Sequence, residues 1–323
     1  MKTLSEAPIK QGTKVFVRCD IDVPLKDNQI QETFRLDSSL NTLKYIIEKG
    51  GMPIIGGHMG KPDGKEVPEL STKILLPYFN EKLGEGNFEL LENLRFNPGE
   101  KNNDEKFAKE LASKAEIYVN ESFATCHREH ASIVGITKFL PSFAGLNLEN
   151  EVLNLNKVMN NPEKPLAIII GGIKLESKLP VIEKFQPIAD FIMLSSILSA
   201  NWSKEITHNM LLADNNDMES KDINDKTRQK FLWAIEKSRT ILWAGPLGMY
   251  EDENFIAGTK EVAQKIADVT QNKGVFSVIG GGDTVTAINK LDLLDKFSFV
   301  STGGGAMLQF LAEGNLPGLK PLN

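Results

Sequence analysis

The residues best suited to chemistry lie in Val278-Ile279-Gly280-Gly281-Gly282-Asp283-Thr284. An apolar run ends in three glycines, and an acid and a hydroxyl residue follow where a helix would open. Glycine lets a backbone approach a phosphate closely, and the free N–H groups of a helix N-terminus favour an anion there. Asp283 suits a Mg²⁺ ion carried in by a nucleotide. A plain glycine turn, with Asp283 and Thr284 as helix caps, would leave the same trace. Ser301-Thr302-Gly303-Gly304-Gly305-Ala306 repeats the strand, glycines and helix order, and two such helix starts are harder to ascribe to turns alone. Gly171-Gly172-Ile173-Lys174-Leu175-Glu176-Ser177-Lys178 is a third strand-to-turn segment. Lys174 and Lys178 are four apart, which on a helix puts both ammonium groups on one face, where they suit a polyphosphate.

In the first half, basic residues fall just after strand ends: Arg35, His58 with Lys61, Arg95 and Arg128. Converging guanidinium groups bind phosphate and carboxylate through paired hydrogen bonds. Each residue alone would read as an ordinary surface cation. Other chemistries find no support. None of the glycine segments is a GxGxxG. Gly56-Gly57-His58-Met59-Gly60-Lys61 lacks the glycine spacing of a GxxxxGK[ST] loop, and Pro62 stands where a hydroxyl belongs. The histidines do not form HExxH, which argues against a zinc site, and no GxSxG elbow occurs.

These groups need scaffolds. The chain has 323 residues, 41% hydrophobic and 25% charged, with a net charge of −6. That is enough for two α/β domains with separate cores, and it provides no global basic field for nucleic acid. Only Cys19 and Cys126 occur, with no CxxC pair, which predicts reduced thiols in a cytosolic protein. The opening MKTLSEAPIKQG lacks the apolar core of a signal peptide. The longest apolar stretch, residues 191–200, is interrupted by serines and too short to cross a bilayer. A cytoplasmic protein without membrane or nucleic-acid partners is expected.

Apolar runs alternate with amphipathic segments. Val15-Phe16-Val17 reads as a strand, residues 38–48 as a helix with Gly50 at its C-cap, and Pro53-Ile54-Ile55 as a strand. A helix over 106–114 precedes a strand at 117–119. After Pro165 the strands fall at 166–170, 191–194, 210–212, 240–243, 275–279 and 297–300, with helical patterns between. The alternation predicts βαβ units and parallel sheets, with ligands at the carboxyl ends of the strands. A polar helix over 151–159 and the turn-rich Asn160-Asn161-Pro162-Glu163-Lys164-Pro165 mark a domain seam within 149–165. Residues 215–225 read as a solvated loop.

Together these segments resemble the phosphoglycerate kinase family, in order and over nearly the whole chain. The resemblance rests on Val15-Phe16-Val17-Arg18-Cys19-Asp20-Ile21-Asp22-Val23-Pro24-Leu25, His58-Met59-Gly60-Lys61-Pro62, Glu92-Asn93-Leu94-Arg95-Phe96 and His127-Arg128-Glu129-His130-Ala131-Ser132. It continues through Trp243-Ala244-Gly245-Pro246-Leu247-Gly248, the segments at 280–284 and 301–305, and Leu316-Pro317-Gly318. It implies two doubly wound parallel-sheet α/β domains (Rossmann-like) joined by a hinge helix. Residues 1–148 would hold 3-phosphoglycerate or 1,3-bisphosphoglycerate, with residues 308–323 packing back on them. Residues 149–307 would hold Mg-ADP or Mg-ATP.

By the same resemblance, Asp20, Asp22, Arg35, His58, Lys61, Arg95 and Arg128 surround the glycerate. Gly172, Lys174, Lys178, Gly280, Gly281, Gly282, Asp283 and Thr284 serve the nucleotide phosphates, Asp283 the metal, and Glu251 the ribose. Arg35 and Lys174, from different domains, would neutralise the transferring group as hinge closure excludes water. A monomer is the family expectation.

The chain also departs from the family. It is shorter between Lys61 and Leu91 and between Asn201 and Thr240, so an edge of each sheet is expected to be missing or rebuilt. Asp22 stands for an asparagine, Lys61 for an arginine, Ser195-Ser196-Ile197 for a glycine triplet near the adenine, and Ala244 for an asparagine near the ribose. These changes leave base preference between ATP and GTP open. They also motivate two alternatives: a nucleotide-binding pseudoenzyme, or a kinase for another small carboxylate.

Overall fold

The computed structural model describes residues 1–215 and 219–323. The chain divides into two compact units. Unit 1 comprises Met1–Val152 with Asn315–Asn323, and unit 2 comprises Leu153–Gly314.

Unit 1 is built on a five-stranded, wholly parallel sheet. Its strands are β1 (Lys14–Arg18), β4 (Met52–Gly56), β5 (Glu89–Leu90), β6 (Ile117–Asn120) and β7 (Ser142–Ala144), in the order β5-β4-β1-β6-β7. Parallel strands need crossovers, and helices supply them on both faces. The side chains of β1 show the division. Val15 and Val17 pack with Leu36, Leu43 and Ile46 of α1 (Phe34–Glu48) and Phe79 of α2 (Leu76–Leu83). Phe16 points the other way, into a layer with Phe107 and Leu111 of α3 (Glu105–Ala112). Local signals set the ends. The Asp104 carboxylate accepts from the Phe107 N–H at 2.8 Å and opens α3. Gly50, at φ +82°, closes α1: its N–H reaches Ile47 O while the Gly51 N–H reaches Ile46 O, the paired bonds of a Schellman stop.

Two differences from the sequence reading concern the site. Helix α1 begins at Phe34 rather than 38, so Arg35 lies in its first turn and not just beyond a strand. The stretch before α1 holds a hairpin, β2 (Leu25–Lys26) and β3 (Gln29–Ile30), whose two-residue loop Asp27-Asn28 has both φ positive. The return of 308–323 to unit 1 starts only at Asn315, because helix α10 (Gly304–Glu313) runs on until Gly314 ends it at φ +77°. The final segment is then tied to unit 1 by the Gly318 N–H to Cys126 O bond of 2.8 Å.

Helix α4 (Leu146–Asn160) carries the chain from one unit to the other. Among its described residues, unit 2 holds six parallel strands: β8 (Leu166–Ile170), β9 (Phe191–Leu194), β10 (Met210–Leu211), β11 (Thr240–Ala244), β12 (Phe276–Gly280) and β13 (Phe299–Ser301). Their order is β10-β9-β8-β11-β12-β13. Every residue of β8 and β11 is buried, as expected of strands covered on both faces. The helices are α5 (Leu179–Phe185), α6 (Ser196–Ala200), α7 (Asp225–Lys237), α8 (Ala257–Lys273), α9 (Gly282–Asn289) and α10. The edge strands β5 and β10 are only two residues long, so the edges expected to be missing or rebuilt are present and short. The solvated loop expected over 215–225 includes residues 216–218, which lie outside the described residues. Of its remainder, Ile223 is buried, and Asn224 caps α7 through its bond from the Thr227 N–H.

Candidate active site

In unit 1 the carboxyl ends of β1 and β4 carry most of the candidate residues. Asp20 is buried, and desolvation raises its pKa against the opposing pull of Arg35. Its Oδ2 has no hydrogen-bond partner among the described residues, although Arg35 Nη1 lies 3.6 Å away. Arg35 is half-buried, and the same Nη1 donates to the Asp22 main-chain oxygen at 3.1 Å. Asp22 Oδ1 accepts from the Gly60 N–H at 2.8 Å, and its Oδ2 lies 3.7 Å from His58 Nε2. His58 is buried. Desolvation first, then the neighbouring Arg18 and Arg128 charges, hold it well below the usual histidine range, so it is neutral. Arg128 is itself lowered by burial and sits within the fields of Asp20 and Asp22.

The structure therefore groups Asp20, Asp22, Arg35, His58 and Arg128. Arg95 has a different setting: it is buried, and its Nη1 donates to Gly60 O at 2.8 Å. Asn93 assists by donating to Met59 O at 2.8 Å, so the 93–95 turn fixes the loop on which His58 and Gly60 sit. Lys61, next on that loop, is exposed.

Sequence reasoning missed the support beneath this cluster. Arg18, fully buried, donates to Ser132 Oγ at 2.9 Å and bonds His58 Nδ1 at 3.0 Å. Ser132 in turn donates to the buried Glu100. The signal was an arginine ending an otherwise apolar buried strand, because a charge there demands partners.

In unit 2 the glycine segments converge. A cavity of about 380 Å³ is lined by Gly172, Lys174 and Lys178 on one side and by Gly280, Gly281, Gly282 and Asp283 on another, with Ala244, Gly304 and Gly305 completing it. The N-termini of α9 and α10 both open on it. Two backbone constraints enforce the shape: a Cβ on Gly171 would collide with the Pro246 carbonyl oxygen, and Gly281 holds φ +106°. A Cβ on Gly282 would meet nothing within 4 Å, so its backbone faces open space.

The expected shared helical face of Lys174 and Lys178 is not formed. Pro180 sets the start of α5 at Leu179, and residues 173–178 form turns instead. Both lysines line the cavity even so. Lys174 is exposed, whereas Lys178 is partly buried and its pKa is lowered by desolvation, with Asp283 opposing. Thr284 is fully buried, and its hydroxyl accepts from the Gly245 N–H at 2.7 Å, so this hydroxyl braces the floor of the cavity.

An adjoining cavity of about 350 Å³ shares Gly172, Ile173, Pro246 and Asp283 with the first. Ser195, Ile197, Tyr250 and Glu251 line it as well. Ser196 is turned away, its hydroxyl donating to Asp222 O at 3.1 Å. Among the described residues no group of three or more His, Cys, Asp or Glu side chains is placed to hold a metal ion unaided, and no helix is long and apolar enough to cross a membrane. An anion-accepting cavity with one exposed carboxylate fits a cation that arrives already bound to phosphate oxygens.

A family model described as phosphoglycerate kinase matches residues 6–86, 79–210 and 195–314. A cytosolic phosphoglycerate kinase of Triticum aestivum is 37% identical over 394 aligned positions, covering 99% of this chain and 98% of the relative. A phosphoglycerate kinase of Thermosipho africanus is 36% identical over 389 positions, covering 98% and 96%. Those alignments are longer than the 323-residue chain, so the relatives carry segments that this one lacks. Among solved structures, phosphoglycerate kinase from Coxiella burnetii superposes with a TM-score of 0.83 at 28% identity, covering 99% of this chain and 98% of that one. The enzyme from Pyrococcus horikoshii OT3 gives 0.82 at 26% identity, covering 100% and 98%.

Proposed function

The chain belongs to the phosphoglycerate kinase family and is a phosphotransferase acting on phosphoglycerate and ATP or ADP, and from that premise we propose which of its residues do the work. Unit 1 binds 3-phosphoglycerate or 1,3-bisphosphoglycerate through Arg35, His58, Arg128 and Lys61, with Asp20 and Asp22 toward the glycerate. Arg95 acts through the Gly60 loop that it holds. Unit 2 binds the nucleotide: the phosphates on Gly172, Lys174, Lys178 and the 280–284 turn, the nucleoside in the cavity with Ile197 and Tyr250, and the ribose by Glu251. Mg²⁺ enters with the nucleotide and takes one carboxylate from Asp283. The protein acts as a cytoplasmic monomer.

One observation carries the assignment of the nucleotide. The N-termini of α9 and α10 and two lysines face a single cavity, and a second, more apolar cavity continues from it. Phosphates with a base attached require that combination of an anion site and an apolar slot.

The chemistry asked of the side chains is modest. The acceptor carboxylate oxygen is already an anionic nucleophile, so no general base is needed. The barrier lies in aligning anions and in spreading charge over the moving phosphoryl oxygens. Arg35 and Lys174 neutralise that charge. The test couples ATP and 3-phosphoglycerate to glyceraldehyde-3-phosphate dehydrogenase and follows the loss of NADH. Folded protein without turnover would overturn the assignment.

A further inference from the structure

Glu100 is fully buried, lies outside the set of ligand-facing residues, and is nonetheless connected to one of them. Its Oε1 accepts the Ser132 hydroxyl proton at 2.6 Å, and its Oε2 accepts the Ser132 N–H at 3.0 Å. A serine hydroxyl has one proton, so Ser132 Oγ can only accept from its other neighbour, Arg18 Nε, at 2.9 Å. Arg18 also donates to the Cys19 carbonyl oxygen. Its Nη2 lies 3.0 Å from His58 Nδ1. A guanidinium has donors and no acceptor. His58 Nδ1 must therefore present its lone pair, and the single proton of a neutral His58 must sit on Nε2. That nitrogen is the one 3.7 Å from Asp22 Oδ2, on the side of Arg35 and Asp20.

We propose that Glu100 is a positioning residue which, through Ser132 and Arg18, fixes neutral His58 as the Nε2–H tautomer and presents that proton as a hydrogen-bond donor to the acceptor substrate. The proposal rests on the assignment of this cluster to the glycerate ligand. The groups around His58 agree with it. Arg18, Arg128, His130 and Arg35 all bring charge or dipole that opposes a second ring proton, while the Asp22 carboxylate at 3.7 Å favours one. Glu100 stays ionised: burial pushes its pKa up most strongly, but His130, Arg18 and Ser132 together hold it below the usual range. His130 Nδ1, 3.6 Å away, flanks the same carboxylate. The dependence runs in one direction. Without the Glu100 charge, Ser132 can turn, Arg18 loses its alignment, and the His58 ring is free to carry its proton on either nitrogen.

The test reads the tautomer directly. Nitrogen-15 NMR of the full-length, ligand-free chain with labelled histidine should show His58 protonated on Nε2 only, unchanged from a pH of about 6 to about 9. Glu100→Gln and Ser132→Ala should each convert that signal to a tautomer mixture. They should raise the KM for 3-phosphoglycerate about tenfold, the size expected for losing a charge-assisted contact. The KM for ATP should stay within about twofold. Ser132→Thr, which keeps the hydroxyl, should restore both readouts. If wild-type His58 carries its proton on Nδ1, or titrates like a free imidazole, the proposal fails even if a variant does not fold. It also fails if folded variants keep both the tautomer and the KM. Because the spectrum is recorded without ligand, its outcome is independent of whether glycerate is the true occupant.

Discussion

Arg35 Nη1 lies 3.6 Å from the buried, otherwise unpartnered Asp20 Oδ2 while donating to the main-chain oxygen of Asp22 at 3.1 Å. The guanidinium is thus anchored by one nitrogen, and its remaining donors have no partner among the described residues. That is a suitable state for the role proposed for it, receiving a phosphoryl oxygen. Arg35→Ala should lower kcat roughly 10²- to 10³-fold, the usual cost of one donor to a developing oxyanion. The Asp20 pKa, already raised by burial, should rise further once the opposing charge has gone. Carboxyl-region NMR and steady-state kinetics check the two halves separately.

Lys174 is exposed and belongs to no helix. Lys174→Ala should cost less than about 0.5 kcal/mol of stability, as for most surface substitutions. Its kcat should fall roughly 10²-fold or more. Thermal unfolding beside the coupled assay distinguishes lost catalysis from lost structure.

Asp283 supplies the one carboxylate among the described residues that line the cavity and stands close enough to Lys178 to oppose the lowering of its pKa. Asp283→Asn should raise the Mg²⁺ concentration needed for half-maximal rate, and excess Mg²⁺ should recover part of the activity. A Mg²⁺ titration unchanged from wild type would show that this carboxylate does not meet the metal.

Asp22 places a carboxylate 3.7 Å from His58 Nε2, where it would compete with the proposed anionic ligand. Asp22→Asn retains an oxygen for the Gly60 N–H and removes the charge. The KM for 3-phosphoglycerate should fall roughly two- to fivefold, the range of a partly exposed charge interaction. The effect should shrink in high salt.

Glu121 is fully buried at the start of α4, accepting from the Asn147 N–H at 3.1 Å and the Leu148 N–H at 3.3 Å. Desolvation exceeds these bonds and pushes its pKa from 4.5 up to about 8. A carboxyl whose folded pKa is raised binds its proton more tightly when folded. Its contribution to stability is complete below 4.5 and is lost as pH rises through about 8. Glu121→Gln mimics the protonated group. The melting temperature of the variant relative to wild type should therefore climb between these pH values. A difference that is flat with pH would refute the assignment.

Much of this was legible in the sequence. The unbroken apolar runs of β8 and β11 marked strands buried on both faces, and Gly280-Gly281-Gly282 marked a helix start, which the structure places at a cavity. Two features escaped for physical reasons. The helix expected to align Lys174 with Lys178 fails because Pro180 starts it later, and the two lysines meet only through tertiary packing around the cavity. The Glu100–Ser132–Arg18–His58 chain joins residues 114 positions apart at its Ser132–Arg18 link, a distance over which no local pattern operates. The hairpin before α1 was not read from the sequence, although its Asp27-Asn28 loop is a pair that tolerates positive φ.

The central claim, that this shortened chain transfers a phosphoryl group with Arg35 and Lys174 as its charge-neutralising residues, is tested most directly by the coupled assay with ATP and 3-phosphoglycerate on wild type, Arg35→Ala and Lys174→Ala. Turnover in the wild type and a loss of roughly 10²-fold or more in each folded variant is the predicted result. A folded wild type without turnover, or variants that keep its rate, would contradict it.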